Sequence, residues 1–175
     1  MTKYYIIPGY GNSDNEHWQT YFESKLDNSQ RIVQDNWTEP ILEDWVDRIE
    51  KTLNGENLSD IILITHSLGG IALTHWVNKY GKRIKGALIV APADVENPYE
   101  DRGLESFTPI PKINLPFPSI LVCSTNDIWM NLERAKLFAS SWGSELIILK
   151  NAGHVSSYDG FGSWDDGLKI LRKLE

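Results

Sequence analysis

Six short runs of apolar residues recur along the chain, and segments with helical periodicity separate them. The runs are dense in Ile, Val and Leu with little alternation, and they cover residues 3–8, 31–34, 61–65, 86–90, 119–123 and 145–149. Strands that are covered on both faces have this composition. The pattern therefore predicts an α/β fold, a three-layer αβα sandwich around a mostly parallel sheet of about six strands.

Five helices are predicted in the gaps between these strands. The first begins at a capping box formed by Ser13 and Glu16, and the second carries Pro40 in its first turn. The third follows Ser67 directly, the fourth covers about 131–142 and the last about 163–174. Residues 94–118 fit neither period and are rich in Pro, Asn and charge. We interpret this segment as a lid or rim beside a site.

Length and composition fit one domain covering residues 1–175. The net charge of −7 comes without any cluster of Lys and Arg, so no nucleic-acid partner is expected. No apolar run approaches the roughly 18–20 residues of a membrane helix, so we expect no membrane partner. The single cysteine, Cys123, excludes a disulfide framework and indicates a reducing compartment such as the cytoplasm. Its apolar surroundings in the sequence favour a buried side chain over a reactive thiol.

The sequence IILITHSLGGIALTHW, residues 61–76, changes character at its centre. One interpretation is a tight turn between a strand and a helix. The other is that Ser67 is a nucleophile on that turn, which lifts its hydroxyl and aims the N–H of Leu68 at the same point. The usual pattern is G-x-S-x-G, and here Thr65 replaces the first glycine. This departure leaves the tightness of the turn open.

A serine nucleophile needs an acid and then a histidine after later strands. Asp127 follows the run SILVCS, and His154 follows the run ELIILK. Because the carboxyl ends of parallel strands converge, the order Ser67, Asp127, His154 predicts a catalytic triad. Asp94 also follows a strand and is the alternative acid. The remaining histidines, His17, His66 and His75, lack this position, and the four together show no metal-ligand spacing.

The loop after the first strand is the expected source of a second oxyanion-hole amide. The N–H of Tyr10 is the first candidate and that of Gly11 the second, and Gly11 or the Tyr10 ring could also line the pocket. A simple turn before the first helix would explain the glycines equally well. Trp129, two residues past Asp127, is a candidate pocket residue.

The sequence resembles the α/β hydrolases, and within them the small serine hydrolases related to retinoblastoma-binding protein 9. The resemblance rests on IIPGYGNSDNEHW, HSLGG, IVAPAD, STND, GHV and GFGSWDDG, and it spans nearly the whole chain. It implies a compact hydrolase fold, the triad Ser67, Asp127 and His154, and neither metal nor cofactor. It gives no ground for expecting retinoblastoma binding.

We therefore expect a serine hydrolase of carboxylesterase type that cleaves a small ester, thioester or amide through an acyl-enzyme. A small-molecule acyl substrate is the partner that this chemistry requires. The alternative is a protein-interaction module on a hydrolase fold with weak or vestigial activity. Acyl transfer to an acceptor other than water would use the same residues.

Overall fold

A single parallel sheet forms the centre of the molecule in the computed structural model, which describes residues 1–97 and 103–175. The strand order is β2-β1-β3-β4-β5-β6, and all neighbouring pairs are parallel. The strands are β1 (Lys3–Ile7), β2 (Ser29–Arg31), β3 (Ile61–His66), β4 (Gly86–Val90), β5 (Ser119–Ser124) and β6 (Glu145–Leu149). The predicted α/β fold with six parallel strands is confirmed.

Helices cover both faces of this sheet. They are α1 (Trp18–Lys25), α2 (Leu42–Leu53), α3 (Leu68–Tyr80), α4 (Leu132–Trp142) and α5 (Asp165–Leu171). One core cluster holds the buried residues of α2, α3 and α4, and the other holds those of α1 and α5. Successive strand residues alternate between the clusters, as Leu63 and Ile64 do, so the strands have to be apolar on both sides.

The second strand begins two residues nearer the N-terminus than the sequence pattern predicts. It is Ser29–Arg31 rather than residues 31–34, because the polar residues before Ile32 pair with β1 at the sheet edge. Ile32 is fully buried and its N–H still donates to Ile6 O. An edge strand is half exposed, so its paired residues carry no apolar signal.

Two helix starts also differ from the prediction. The capping box of Ser13 and Glu16 does not form: α1 is capped by His17, whose Nδ1 accepts from the N–H of Gln19 at 3.1 Å. Ser13 instead donates its hydroxyl to Gln19 Oε1. Helix α2 begins at Leu42, so Pro40 precedes the helix and does not lie in its first turn.

The irregular segment predicted at residues 94–118 lies partly outside the described residues, which omit 98–102. In the described part, the short 3₁₀ turn Glu105–Phe107 interrupts it. Four of its apolar side chains are buried in the core, namely Phe107, Ile110, Leu115 and Phe117. The later half is therefore anchored and is not a detachable lid.

Candidate active site

Ser67 occupies the turn between β3 and α3, at the carboxyl edge of the sheet. Its backbone has φ 53° and ψ −124°, a conformation that non-glycine residues rarely adopt. The N–H of Ser67 donates to Val90 O at 3.1 Å, which ties the turn to the end of β4. The turn is thus strained and held from the neighbouring strand, as a sharp strand-to-helix turn that exposes a hydroxyl requires.

The two glycines after this turn allow α3 to pass close to the sheet. A Cβ on Gly69 would lie 2.3 Å from Ile7 O and 2.6 Å from Pro8 O, so no side chain fits there. A Cβ on Gly70 would lie 3.3 Å from Thr65 Oγ1. Gly70 therefore makes room for the threonine that replaces the usual glycine of the motif. The hydroxyl of Thr65 is enclosed and has no hydrogen-bond partner among the described residues.

The structure brings the predicted serine, histidine and aspartate into one hydrogen-bonded chain. His154 Nε2 lies 2.9 Å from Ser67 Oγ, and His154 Nδ1 lies 2.9 and 3.0 Å from the two oxygens of Asp127. The side chain of Asp127 is fully buried, and its Oδ1 also accepts from the N–H of Trp129. A buried carboxylate on Nδ1 favours the tautomer in which Nε2 can accept the serine proton.

The loops that carry Asp127 and His154 are bonded to each other. Ser124 Oγ accepts from the N–H of Ala152 at 2.9 Å and donates to Asn126 Oδ1. Asn126 Oδ1 also accepts from the N–H of Gly153 at 2.8 Å. The polar residues of STND therefore fix the distance between the acid and the histidine.

Asp94, the alternative acid, has a different partner. Both of its oxygens bind the Arg134 guanidinium, at 2.7 and 2.8 Å, and the same arginine also contacts Glu96. Its carboxylate therefore holds the start of the irregular segment to α4, and it forms no hydrogen bond with His154.

Of the predicted oxyanion donors, Tyr10 and Leu68 keep free amides and Gly11 does not. The N–H groups of Tyr10 and Leu68 bind no acceptor within residues 1–97 and 103–175, and both residues line the cleft above Ser67. The N–H of Gly11 donates to Trp37 O at 2.9 Å, and Gly11 is not a lining residue. The expectation for Gly11 is therefore wrong, because its loop turns away towards Trp37. Gly9 lies against the serine, since a Cβ there would be 2.7 Å from Ser67 Cβ.

The rings of two further histidines form a row with that of His154, and the sequence pattern did not single them out. The ring of His66 lies 4.9 Å from that of His154, and its Nε2 hydrogen-bonds His154 O at 2.9 Å. The ring of His17 lies 4.7 Å from that of His66. Burial lowers the pKa of His17 to about 4 and lowers the pKa of His66 well below its ordinary value. Both rings are therefore neutral at physiological pH, and only their place in the HW and HSLGG motifs could have indicated them.

A cleft of about 580 Å³ opens over Ser67. One part of its wall is apolar, formed by Val95, Leu104, Ile128 and Trp129, and another is polar, formed by Asp14, His17, Ser156 and Ser157. The ring of Trp129 lies 6.2 Å from that of His154, as its sequence position suggested. The described lining residues include no Lys or Arg. The cleft is thus suited to a neutral or cationic substrate with both apolar and polar parts.

The described residues contain no group of three or more His, Cys, Asp and Glu side chains arranged to hold a metal ion. Nor do they contain a helix that is long and apolar enough to cross a membrane.

The parallel six-stranded sheet, with a serine on the sharp turn after its central strand, is that of an α/β hydrolase. The protein belongs to the serine hydrolase family, because the model of that family matches residues 4–173 of the chain. No curated protein matches the chain at a significant level. The particular relation to retinoblastoma-binding protein 9 stays a prediction.

Solved structures with the same fold include two YdeN-type proteins. A YdeN-like hydrolase from Pectobacterium atrosepticum is 35% identical with a TM-score of 0.86, covering 99% of this chain and 90% of that one. The ydeN gene product of Bacillus subtilis is 21% identical with a TM-score of 0.83, covering 99% and 98%. The carboxylesterase CesB of Bacillus subtilis is 13% identical with a TM-score of 0.65, covering 97% and 82%, and shows the fold alone.

Proposed function

We propose that this serine hydrolase cleaves a small carboxylic ester, thioester or amide through a Ser67–His154–Asp127 triad. The observation that carries the proposal is the continuous hydrogen-bonded chain from Ser67 Oγ through both ring nitrogens of His154 to the buried carboxylate of Asp127. A serine hydroxyl becomes nucleophilic only beside such a base.

In the proposed first step, Ser67 Oγ attacks the substrate carbonyl while its proton passes to His154 Nε2. Asp127 stabilises the imidazolium, and the N–H groups of Leu68 and Tyr10 hold the negative oxygen. His154 then gives its proton to the leaving alcohol, thiol or amine, and the acyl-enzyme forms. Water attacks the acyl-enzyme in the same way, and the serine regains its proton as the acid is released.

The substrate class in this proposal follows from the lining of the cleft. The carboxylates of Asp14 and Asp159 line it, that of Asp94 is paired with Arg134 outside the lining, and the described lining residues include no Lys or Arg, so a free carboxylate or phosphate on the substrate would find no cation to bind. We place the reaction in the cytoplasm, because Cys123 is the chain's single cysteine and is buried as a free thiol.

A fluorophosphonate probe tests the proposal directly. Purified protein should gain the mass of one adduct and lose hydrolysis of 4-nitrophenyl butanoate, because the activated Ser67 hydroxyl attacks phosphorus as it attacks a carbonyl. Ser67→Ala should neither react nor hydrolyse the ester. Ser119→Ala is the control, since Ser119 is a buried serine at the start of β5 whose hydroxyl bonds the hydroxyl of Ser144. Equal labelling of the wild type and Ser67→Ala would refute the hydrolase mechanism and favour an interaction module on this fold.

A further inference from the structure

The orientation of the His17 ring is fixed by the start of helix α1. Its Nδ1 accepts the N–H of Gln19 at 3.1 Å, and the side chain is the N-cap of the helix. A nitrogen that accepts a hydrogen bond carries no proton, so in the neutral ring the proton is on Nε2. Since burial holds the pKa of His17 at about 4, this neutral tautomer persists at physiological pH. His17 therefore presents one N–H donor in one direction.

In residues 1–97 and 103–175 the Nε2–H of His17 has no hydrogen-bond acceptor, although His17 is only 4% exposed. In the same part of the chain, the fully enclosed side-chain nitrogens and oxygens without a partner are Gln34 Nε2 and Thr65 Oγ1. His17 Nε2 is therefore not fully enclosed, and it opens onto the cleft that its ring lines. The Nε2–H can therefore donate to an acceptor atom of a ligand in the cleft, in place of water.

The residues around His17 fix the start of helix α1 against the loop that carries His154. The neighbouring Trp18 donates Nε1–H to Val155 O at 2.8 Å, next to His154. The segment 160–167 packs on α1, where Phe161 O accepts the N–H of Trp18 and the Trp164 ring lies 5.3 Å from the Trp18 ring. This gives a structural reason for the run GFGSWDDG, which no general requirement of hydrolysis explains. The donor is thus positioned before any substrate arrives.

We propose that His17 is a specificity-determining residue of this site, with its Nε2–H donating a hydrogen bond to an acceptor oxygen of the substrate. Substrates that carry an ether, hydroxyl or carbonyl oxygen beyond the scissile group are then preferred over apolar analogues of the same shape. This inference rests on the proposed serine hydrolase function and adds the substrate class to it. A site built to hydrogen-bond its substrate discriminates against the analogue that lacks the partner, because its own polar group is then left unpaired.

Two pairs of ester probes test this preference. Butyl pentanoate is the apolar reference for both. In 2-methoxyethyl pentanoate an ether oxygen replaces one methylene of the alcohol, and in butyl 3-methoxypropanoate it replaces one methylene of the acyl chain. The measured quantity is the ratio of kcat/KM for each ether ester to that for butyl pentanoate. The intrinsic reactivity of each ester does not depend on the protein variant. A change in this ratio between variants therefore reports on His17.

The variants separate the donor from the helix cap. His17→Asn keeps an acceptor near Nδ1, and asparagine is a good N-cap, but it lacks the Nε2 donor. His17→Gln places an amide N–H near Nε2. For one of the two ether esters, the ratio of kcat/KM to that of butyl pentanoate should be about fivefold lower in His17→Asn than in the wild type. In His17→Gln the ratio should be close to the wild-type value again. The ether ester whose ratio changes shows whether the acceptor oxygen lies in the alcohol or in the acyl chain of the substrate.

The control is His75→Asn, because His75 is half-buried on α3, bonds Phe107 O and does not line the cleft. Its ratios should equal those of the wild type. If His17→Asn does not fold by circular dichroism, His17→Ser keeps a capping oxygen and also lacks a donor at Nε2. Ratios within about twofold of wild type for both ether esters, in an active donor-free variant, would overturn the proposal. Failure of the proposed function is distinguishable, because wild type and Ser67→Ala would then hydrolyse butyl pentanoate equally slowly.

Discussion

Asp127 and Asp94 follow neighbouring strands, yet their hydrogen-bond partners give them different expected roles. Asp127→Asn should lower turnover by about 10⁴-fold, because an asparagine amide on Nδ1 stabilises the wrong imidazole tautomer. Asp94→Asn should keep most of the turnover and lower the free energy of unfolding by about 1–3 kcal/mol, because it weakens the pair with Arg134. Turnover of 4-nitrophenyl butanoate and urea unfolding of both variants measure the two effects. A crippled but stable Asp94→Asn would reverse the assignment.

The sequence predicted Ser67, Asp127 and His154 because each follows a strand whose end converges with the others in a parallel sheet. It did not predict His17, because helix α1 was expected to begin at Ser13 and the histidine then had no defined place. His66 alternates away from Ser67 along the strand, so nothing in the local pattern shows that its ring meets the backbone of His154. A side-chain contact such as that of His66 with the backbone of His154 depends on tertiary packing, so the spacing of the motifs does not predict it.

Helix α3 depends on the absence of a side chain at Gly69. Gly69→Ala should lower the free energy of unfolding by about 2–4 kcal/mol, because its methyl group would meet backbone oxygens of Ile7 and Pro8 that cannot move aside. Gly70→Ala is the comparison, since its methyl group would meet Ile89 at 3.0 Å and Thr65 at 3.3 Å, both side-chain atoms that can shift. Urea unfolding should show the smaller loss for Gly70→Ala. Equal losses would show that the close approach at Gly69 is not specific.

Two of the boundaries that the sequence pattern predicts wrongly lie where pairing or capping is polar. Strand β2 pairs through Ser29–Arg31, and α1 is capped by a histidine, so neither boundary carries an apolar signal. Strands β3 to β6 were located within a residue, because β3, β4 and β5 are buried on both faces and their apolar runs match their length. The resemblance of the motifs to those of α/β hydrolases predicted the protein family, which the hydrophobic pattern alone does not indicate.

The whole molecule should lose stability as the pH falls from about 6.5 to 4. The unfolded chain protonates His17 below its ordinary pKa of about 6.5, whereas the folded chain does so only near 4. Because the unfolded state binds more protons in this window, the free energy of unfolding is highest above it and decreases as the pH falls. His17→Asn should remove up to about 1.4 kcal/mol per pH unit of this slope.

Urea unfolding at pH 7, 6 and 5 measures this difference between wild type and His17→Asn. The carboxylates contribute equally to both proteins, so they cancel in the comparison. His66 keeps part of the slope in the variant, since burial lowers its pKa as well. Parallel stability curves would show that His17 takes up its proton at the same pH in the folded and the unfolded chain.

The order of the strands has a consequence for the time at which the molecule becomes active. Strands β3, β4, β5 and β6 lie side by side in the order of synthesis, so each strand that leaves the ribosome finds its neighbour already in place. The serine turn is complete once β3, α3 and β4 are made, but His154, the base in the proposed mechanism, follows Ser67 by 87 residues. In that mechanism the nascent chain carries a strained serine without its base, and hydrolysis requires the last strand to dock at the edge of the sheet.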